Sequence, residues 1–137
     1  MAKPALTGGC LCGRIRYRAA SWTHAVHCHC GMCRRVSGAL FLTWVCLRTE
    51  DLAFTAEPAV HRSSETVTRA FCPACGSTLA MTYEDAGESA VSLGTLDDPD
   101  AVDAARNIFT DDRLRAARGF DATLPDVAGM EDPGAQS

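Results

Sequence analysis

The stretch Phe71-Cys72-Pro73-Ala74-Cys75-Gly76-Ser77 has the chemistry of a metal knuckle. Two thiolates three residues apart wrap around one cation, and the amides of the turn donate to sulfur. Pro73 restricts the approach to the turn, and Gly76 supplies the backbone freedom needed to leave it. A knuckle provides two ligands and needs two more. The other cysteines come as Cys10-x-Cys12 and Cys28-x-Cys30-x-x-Cys33, with Cys46 by itself. Cys10 and Cys12 are the remaining isolated pair, so the expected closed site is Cys10, Cys12, Cys72 and Cys75. Four sulfurs on one ion form a structural site that stabilises the fold directly.

The third group leaves three sulfurs, Cys28, Cys30 and Cys33. Three protein ligands with a further position open is the pattern of a zinc ion that does chemistry. With residues 25–30 extended, Cys28 and Cys30 share one face of a strand and His27 and His29 the other, so neither histidine easily reaches the same ion. Cys46 sits in an apolar run and reads as a buried small hydrophobe, with a fourth-ligand role as its alternative. A second, purely structural site is the competing reading of the cluster.

Metal is favoured over disulfides on two grounds. Cysteines two apart on a strand place their Cα atoms about 6.6–6.8 Å apart, at the edge of disulfide reach. The N-terminal MAKPALTGGC has no apolar run behind its lysine, and no stretch approaches the roughly 18–20 apolar residues of a membrane span. The expected location is therefore the cytoplasm, where thiols stay reduced, and no membrane partner is expected. Thiol–disulfide redox work at a lone Cys-x-x-Cys is a weaker reading beside two further clusters.

The net charge of the 137 residues is −4. Residues 1–49 nevertheless hold no Asp or Glu, against Lys3, Arg14, Arg16, Arg18, Arg34, Arg35 and Arg48. Two accounts fit. Five of the clustered thiolates lie in this segment and are neutralised locally, or the arginines line a positive pocket for a small anionic ligand. An acidic domain is poor material for gripping a phosphate backbone, so no nucleic-acid partner is expected.

The rest of the pattern is of short strands. Residues 13–18 alternate arginine with Ile15 and Tyr17, while Gly8, Gly9 and Gly13 mark turns. Residues 25–30 read as a strand, followed by a tight turn at Gly31-Met32. The apolar run 39–47 (ALFLTWVCL) reads as a buried strand. Segments 52–55, 59–62, 65–71, 77–83 and 90–93 read as further strands, with a turn at 84–88. Only 100–106 carries a helical period. The expected fold is mainly β, one small domain of short antiparallel strands over residues 1–125, stabilised by two zinc ions, with 126–137 as a flexible tail.

In order along the chain, Gly9-Cys10-Leu11-Cys12-Gly13, Cys28-His29-Cys30-Gly31-Met32-Cys33-Arg34-Arg35-Val36-Ser37-Gly38-Ala39, the knuckle at 71–77 and Gly94-Thr95-Leu96-Asp97-Asp98-Pro99 resemble the glutathione-dependent formaldehyde-activating enzyme family, which includes centromere protein V. The resemblance runs over about residues 7–100. It implies a β-tent fold, a structural zinc on Cys10, Cys12, Cys72 and Cys75, and a catalytic-type zinc on Cys28, Cys30 and Cys33. It implies a carbon–sulfur lyase that joins a thiol such as glutathione to a small aldehyde such as formaldehyde through an S-hydroxymethyl adduct. The chain departs from the family pattern at Asn107-Ile108, where the family tends to carry His-Ile, and at Arg115-Ala116, where it tends to carry Pro-Trp.

For that chemistry Arg34 and Arg35 are candidates to hold substrate carboxylates, and Ser37, His29 and Arg34 to protonate the new alkoxide. Local charge compensation is the alternative role of the arginines. A non-catalytic module with two structural zincs and a protein or small-molecule partner is the alternative to the enzyme as a whole. No basic extension of the kind expected of a chromatin- or microtubule-associated relative is present.

Overall fold

The computed structural model describes residues 3–119, 124–126 and 128–129. Two sheets face one another. The smaller contains β1 (Leu6–Gly9), β2 (Arg16–Ala19) and β5 (Leu52–Phe54) in the order β1-β2-β5. The larger contains β3 (His24–Cys28), β4 (Leu42–Arg48), β6 (Ala59–Arg62), β7 (Val67–Phe71), β8 (Thr78–Tyr83), β9 (Glu88–Ser92) and β10 (Ala104–Ile108). Its order is β10-β3-β4-β9-β8-β7-β6. Every pairing is antiparallel except β10 on β3, which is parallel. The fold is mainly β, as the short alternating segments predict.

Alternation along the strands assigns the two faces of the larger sheet. Ala25, Val45, Leu47, Ala80 and Val91 point toward the smaller sheet and pack with its Leu6, Tyr17 and Ala19, and with Ile15 just before β2, in the main core. Val26, Cys28, Trp44, Met81 and Ala90 point the other way and pack with Cys33 in a second core. Strand β4 contributes to both, which is why its residues 44–47 run apolar without alternation.

Four sequence expectations are corrected. Residues 31–38 contain a helix, α1 (Gly31–Ser37), rather than a tight turn alone. The Cys30 side chain caps it by accepting from Cys33 N, Arg34 and Arg35 complement its C-terminal end, and Gly38 closes it in the left-handed region. A seven-residue helix with one buried side chain leaves no period to find. Strand β4 begins at Leu42, because Ala39 N donates to Ser37 Oγ (3.1 Å) as the chain turns out of the helix.

Segment 104–108 is a strand, not a helix. A helix so short is unstable alone, and the free edge of β3 offers its backbone a ladder. Gly8 and Gly9 lie within β1, not in a turn. A Cβ on Gly8 would sit 2.4 Å from Tyr17 Oη and 2.5 Å from Thr95 O, so the glycine lets the turn after β9 approach β1 closely.

The expected tail from Asp126 falls largely outside the described residues. Among the described residues no helix is long and apolar enough to cross a membrane.

Candidate metal and thiol site

All eight cysteines are free of disulfides, and seven gather into two groups. Cys10, Cys12, Cys72 and Cys75 place their sulfurs within 4.8 Å of one another. Cys10 and Cys12 follow β1, and Cys72 and Cys75 occupy the β7–β8 turn, so the group ties the smaller sheet to the larger. Sulfurs held about 2.3 Å from a tetrahedral zinc lie roughly 3.8 Å apart. The Sγ–Sγ distances of 3.6 Å (Cys10–Cys12) and 3.8 Å (Cys12–Cys72) meet that requirement.

The knuckle is built as its sequence suggests. Gly76 N donates to Cys72 O (2.8 Å) and Cys72 N to Ser77 O (3.0 Å), with Gly76 at φ +80°. Ile15 N donates to Cys10 Sγ (3.2 Å). Hydrogen bonds from Ser77 and the backbone pull the Cys75 thiol down to about 5, so this group holds anionic sulfur ready for a cation.

Cys28, Cys30 and Cys33 also bring their sulfurs within 4.8 Å of one another. Strand β3 ends at Cys28 and α1 presents Cys33, the chain turning between them at Cys30. No fourth His, Cys, Asp or Glu joins these three among the described residues. Cys46, weighed as a fourth ligand, faces a separate depression with Thr23, His24 and Glu88. His27 and His29 turn away: both rings pack on Phe41, with centroids 4.8 and 4.9 Å from it. His27 Nδ1 meets Thr43 Oγ1 at 2.7 Å, and His29 Nε2 meets Asn107 Oδ1 at 2.9 Å. Asn107, one of the departures from the family pattern, therefore holds the buried His29 ring. His29 Nδ1 has no hydrogen-bond partner among the described residues.

Two buried donors converge on Cys33. Trp44 Nε1 lies 3.3 Å from its sulfur and Arg69 Nη1 lies 3.7 Å away. Hydrogen bonding from Cys28, joined by Trp44, Cys30 and Arg69, pulls Cys33 down to about 5 against its burial. Cys28 is pushed up by its hydrogen bond with Cys33 and by burial. Of these sulfurs Cys33 is the one whose surroundings most favour the thiolate, and binding of a cation would displace the protons of the others.

A pocket of about 250 Å³ opens over the three sulfurs. Its walls are mainly apolar (Val67, Met81, Ile108, Phe109) with Trp44, Tyr83 and Arg69. Burial, then the Cys33 and Cys28 charges, push the Tyr83 phenol up, so it stays an O–H donor at neutral pH. Phe109 is 60 % exposed and holds φ +54°, the one positive φ of a non-glycine residue among those described. For a bulky residue that conformation is strained, and it hangs the ring over the pocket.

The polar residues singled out in the sequence lie around this pocket rather than in it. Arg34 Nη1 donates to His29 O and to Asp112 O, both at 2.8 Å, and Ser37 Oγ donates to Cys33 O (2.7 Å). Arg35 is exposed on α1 and faces a neighbouring pocket. Trp44, Arg69 and Tyr83 escape sequence reasoning because each reads as an ordinary strand residue. The one available signal is Arg69, an arginine in the strand leading to the knuckle.

Residues 5–112 match the family described as glutathione-dependent formaldehyde-activating enzyme. The chain belongs to that family. A curated relative, an uncharacterized lyase of Schizosaccharomyces pombe, is 30% identical over 81 residues, 58% of this chain. The matched part spans 59% of that relative's length. A crystal structure of a Rhodobacter sphaeroides protein is 21% identical, with a TM-score of 0.57 over 74% of this chain and 99% of that one. This likeness is one of fold.

Proposed function

We propose that this formaldehyde-activating family member is a zinc-dependent carbon–sulfur lyase-type enzyme that joins a small thiol, such as glutathione, to a small aldehyde such as formaldehyde. The observation that carries the reading is the incomplete sulfur set: three converging cysteines, no fourth protein ligand among the described residues, and a pocket directly above them. Family membership and the lyase name of the yeast relative support it.

In this reading Cys10, Cys12, Cys72 and Cys75 hold a structural zinc. Cys28, Cys30 and Cys33 hold a second zinc, which when bound supplies an open coordination position and favours the ionised form of a thiol. Three thiolates on one divalent ion leave a net negative charge, which weakens Lewis acidity and favours thiol exchange over hydrolysis. Trp44 and Arg69 keep the Cys33 sulfur anionic and fixed in direction. The apolar walls limit water around the reacting groups.

The addition balances without a further reactant. The thiol sulfur forms a bond to the aldehyde carbon, and the C=O π pair moves to oxygen. The proton given up by the thiol finishes on that oxygen as the hydroxyl of the S-hydroxymethyl adduct. Tyr83 lines the same pocket, and in this reading its phenol O–H donates to the developing alkoxide.

The test is zinc content, folding and adduct formation followed together. Wild-type protein is expected to hold two zinc ions per chain and to form S-(hydroxymethyl)glutathione faster than the uncatalysed mixture. Its melting midpoint should rise with glutathione. Cys33→Ser is expected to hold one zinc, keep its β circular-dichroism signature and lose the acceleration. Cys75→Ser is expected not to fold. Two zinc ions and full activity in Cys33→Ser would refute the role of the cluster.

A further inference from the structure

Next to the three-cysteine pocket lies a second depression, about 360 Å³, lined by Met32, Arg35, Val36, His61, Ser63 and Arg69. Met32 and Arg69 line both, so the two spaces meet at these side chains. One wall is the i, i+3, i+4 face of α1, formed by Met32, Arg35 and Val36. The other is the outer end of the larger sheet, where His61 on β6 stands directly opposite Arg69 on β7.

The charge of this space is one-sided. No carboxylate lines it. The ion pairs formed among the described residues, Arg16–Asp97, Arg48–Glu50 and Arg62–Glu84, involve none of Arg35, His61 and Arg69. Arg69 is only 4 % exposed, an unusual depth for a guanidinium. Its Nε donates to Ser63 Oγ (3.1 Å) and its Nη1 to Cys33 Sγ, which leaves part of a five-donor fork unused. A thiolate beneath it offsets its charge, but Arg35 has no such partner. Two guanidinium groups, Arg35 and Arg69, at a concave space lined by no carboxylate attract an anion, and a guanidinium fork suits a planar carboxylate.

We infer that this depression is a carboxylate subsite of the thiol substrate, formed by Arg69, Arg35 and His61, so that the preferred thiol is a small one bearing a carboxylate. The inference rests on the thiol reading of the adjoining cluster. The sulfur enters over Cys28, Cys30 and Cys33, and the carboxylate reaches past Met32 to Arg69 and Arg35. Arg69 is the joint between the two, touching Cys33 on one side and the anion on the other.

Calorimetric titration of the zinc-loaded full chain with 3-mercaptopropionate, 2-mercaptoethanol and propionate tests this. 3-Mercaptopropionate is expected to bind at least about tenfold more tightly than neutral 2-mercaptoethanol, the scale of one charge-assisted contact. Arg35→Gln and His61→Gln, both at exposed positions, should each reduce that ratio severalfold while zinc content and 2-mercaptoethanol affinity hold. Equal affinity for the two thiols in the wild type, or an unchanged ratio in both variants, overturns the subsite. Failure of the thiol reading looks different. If propionate binds as tightly as 3-mercaptopropionate, and Arg35→Gln weakens both alike, the anion subsite stands and the sulfur makes no contact at the cluster. If both thiols bind equally and propionate not at all, the cluster takes thiols and the subsite is refuted.

Discussion

Trp44 Nε1 donates to Cys33 Sγ across 3.3 Å inside the second core, joining β4, an interior strand of the larger sheet, to the helix that carries the sulfur. The donor is fully buried and cannot trade this acceptor for water. Trp44→Phe keeps an aromatic ring in place and deletes the N–H. The variant is expected to fold with a stability loss of about 1–3 kcal/mol. It should release one of its metal ions to a competing chelator roughly tenfold more readily than wild type. Chelator competition followed by metal analysis checks this, and equal retention of both ions would show the contact to be mere packing.

Phe109 holds a left-handed backbone conformation at the rim of the pocket, where a side chain costs about 1–2 kcal/mol. Phe109→Gly removes that strain together with the ring. Its melting midpoint is expected to equal or exceed that of wild type, while KM for the thiol rises. A lower midpoint with an unchanged KM would mean that the ring serves the fold and not the site.

Gly8→Ala puts a methyl group into Tyr17 Oη, which is hydrogen-bonded to Thr95 Oγ1, and into the Thr95 carbonyl, in the segment that follows β9. Because one of the obstructing atoms is backbone, β1 or the turn at 93–95 must shift. Denaturant unfolding should register a loss of about 1–3 kcal/mol, as for overpacking elsewhere. The metal-binding cysteines next in the chain, Cys10 and Cys12, should then hold their ion less tightly.

Asp97 pairs with Arg16, Nη1 to Oδ1 at 2.9 Å, and accepts from Thr7 Oγ1 at 2.7 Å. The guanidinium, then the Thr7 hydroxyl, hold its carboxyl down at about 2. A depressed carboxyl contributes stability above its unfolded value, near 3.8, and loses it as pH falls toward 2. The gap in melting midpoint between wild type and Asp97→Asn, open at pH 6, should close between about pH 4 and pH 2. Comparing two chains that both shed metal in acid isolates the carboxylate. A gap that persists at pH 2 would rule the ionised pair out as its source.

What the sequence discloses follows from how each feature is encoded. The cysteine groups are legible because ligand spacing is a local property, and pairing Cys10 and Cys12 with Cys72 and Cys75 needs only a count of sulfurs. The strands at 59–62 and 78–83 announce themselves through β-branched or alternating residues between turns. Helix α1 is hidden because its cap is Cys30, outside the usual Ser, Thr, Asp and Asn, and because Cys33 alone is buried. The identity of β10 is hidden for a different reason: Ala104, Ala105 and Arg106 are good helix formers, and only the vacant edge of β3 overrides them. The donors on Cys33 come from strands 11 and 36 residues away in sequence, so no local pattern connects them to it.

The parallel pairing of β10 has a kinetic corollary. This strand is attached along one side only, at the outer limit of the seven-stranded sheet, and its last residue is followed by the ring of Phe109. Peeling it from β3 would break a single ladder together with the Asn107–His29 hydrogen bond, so its amides are expected to exchange with solvent ahead of those in the sheet interior. Because Ile108 and Phe109 also line the pocket above Cys28, Cys30 and Cys33, the strength of that one ladder bears directly on how well the sulfurs are covered.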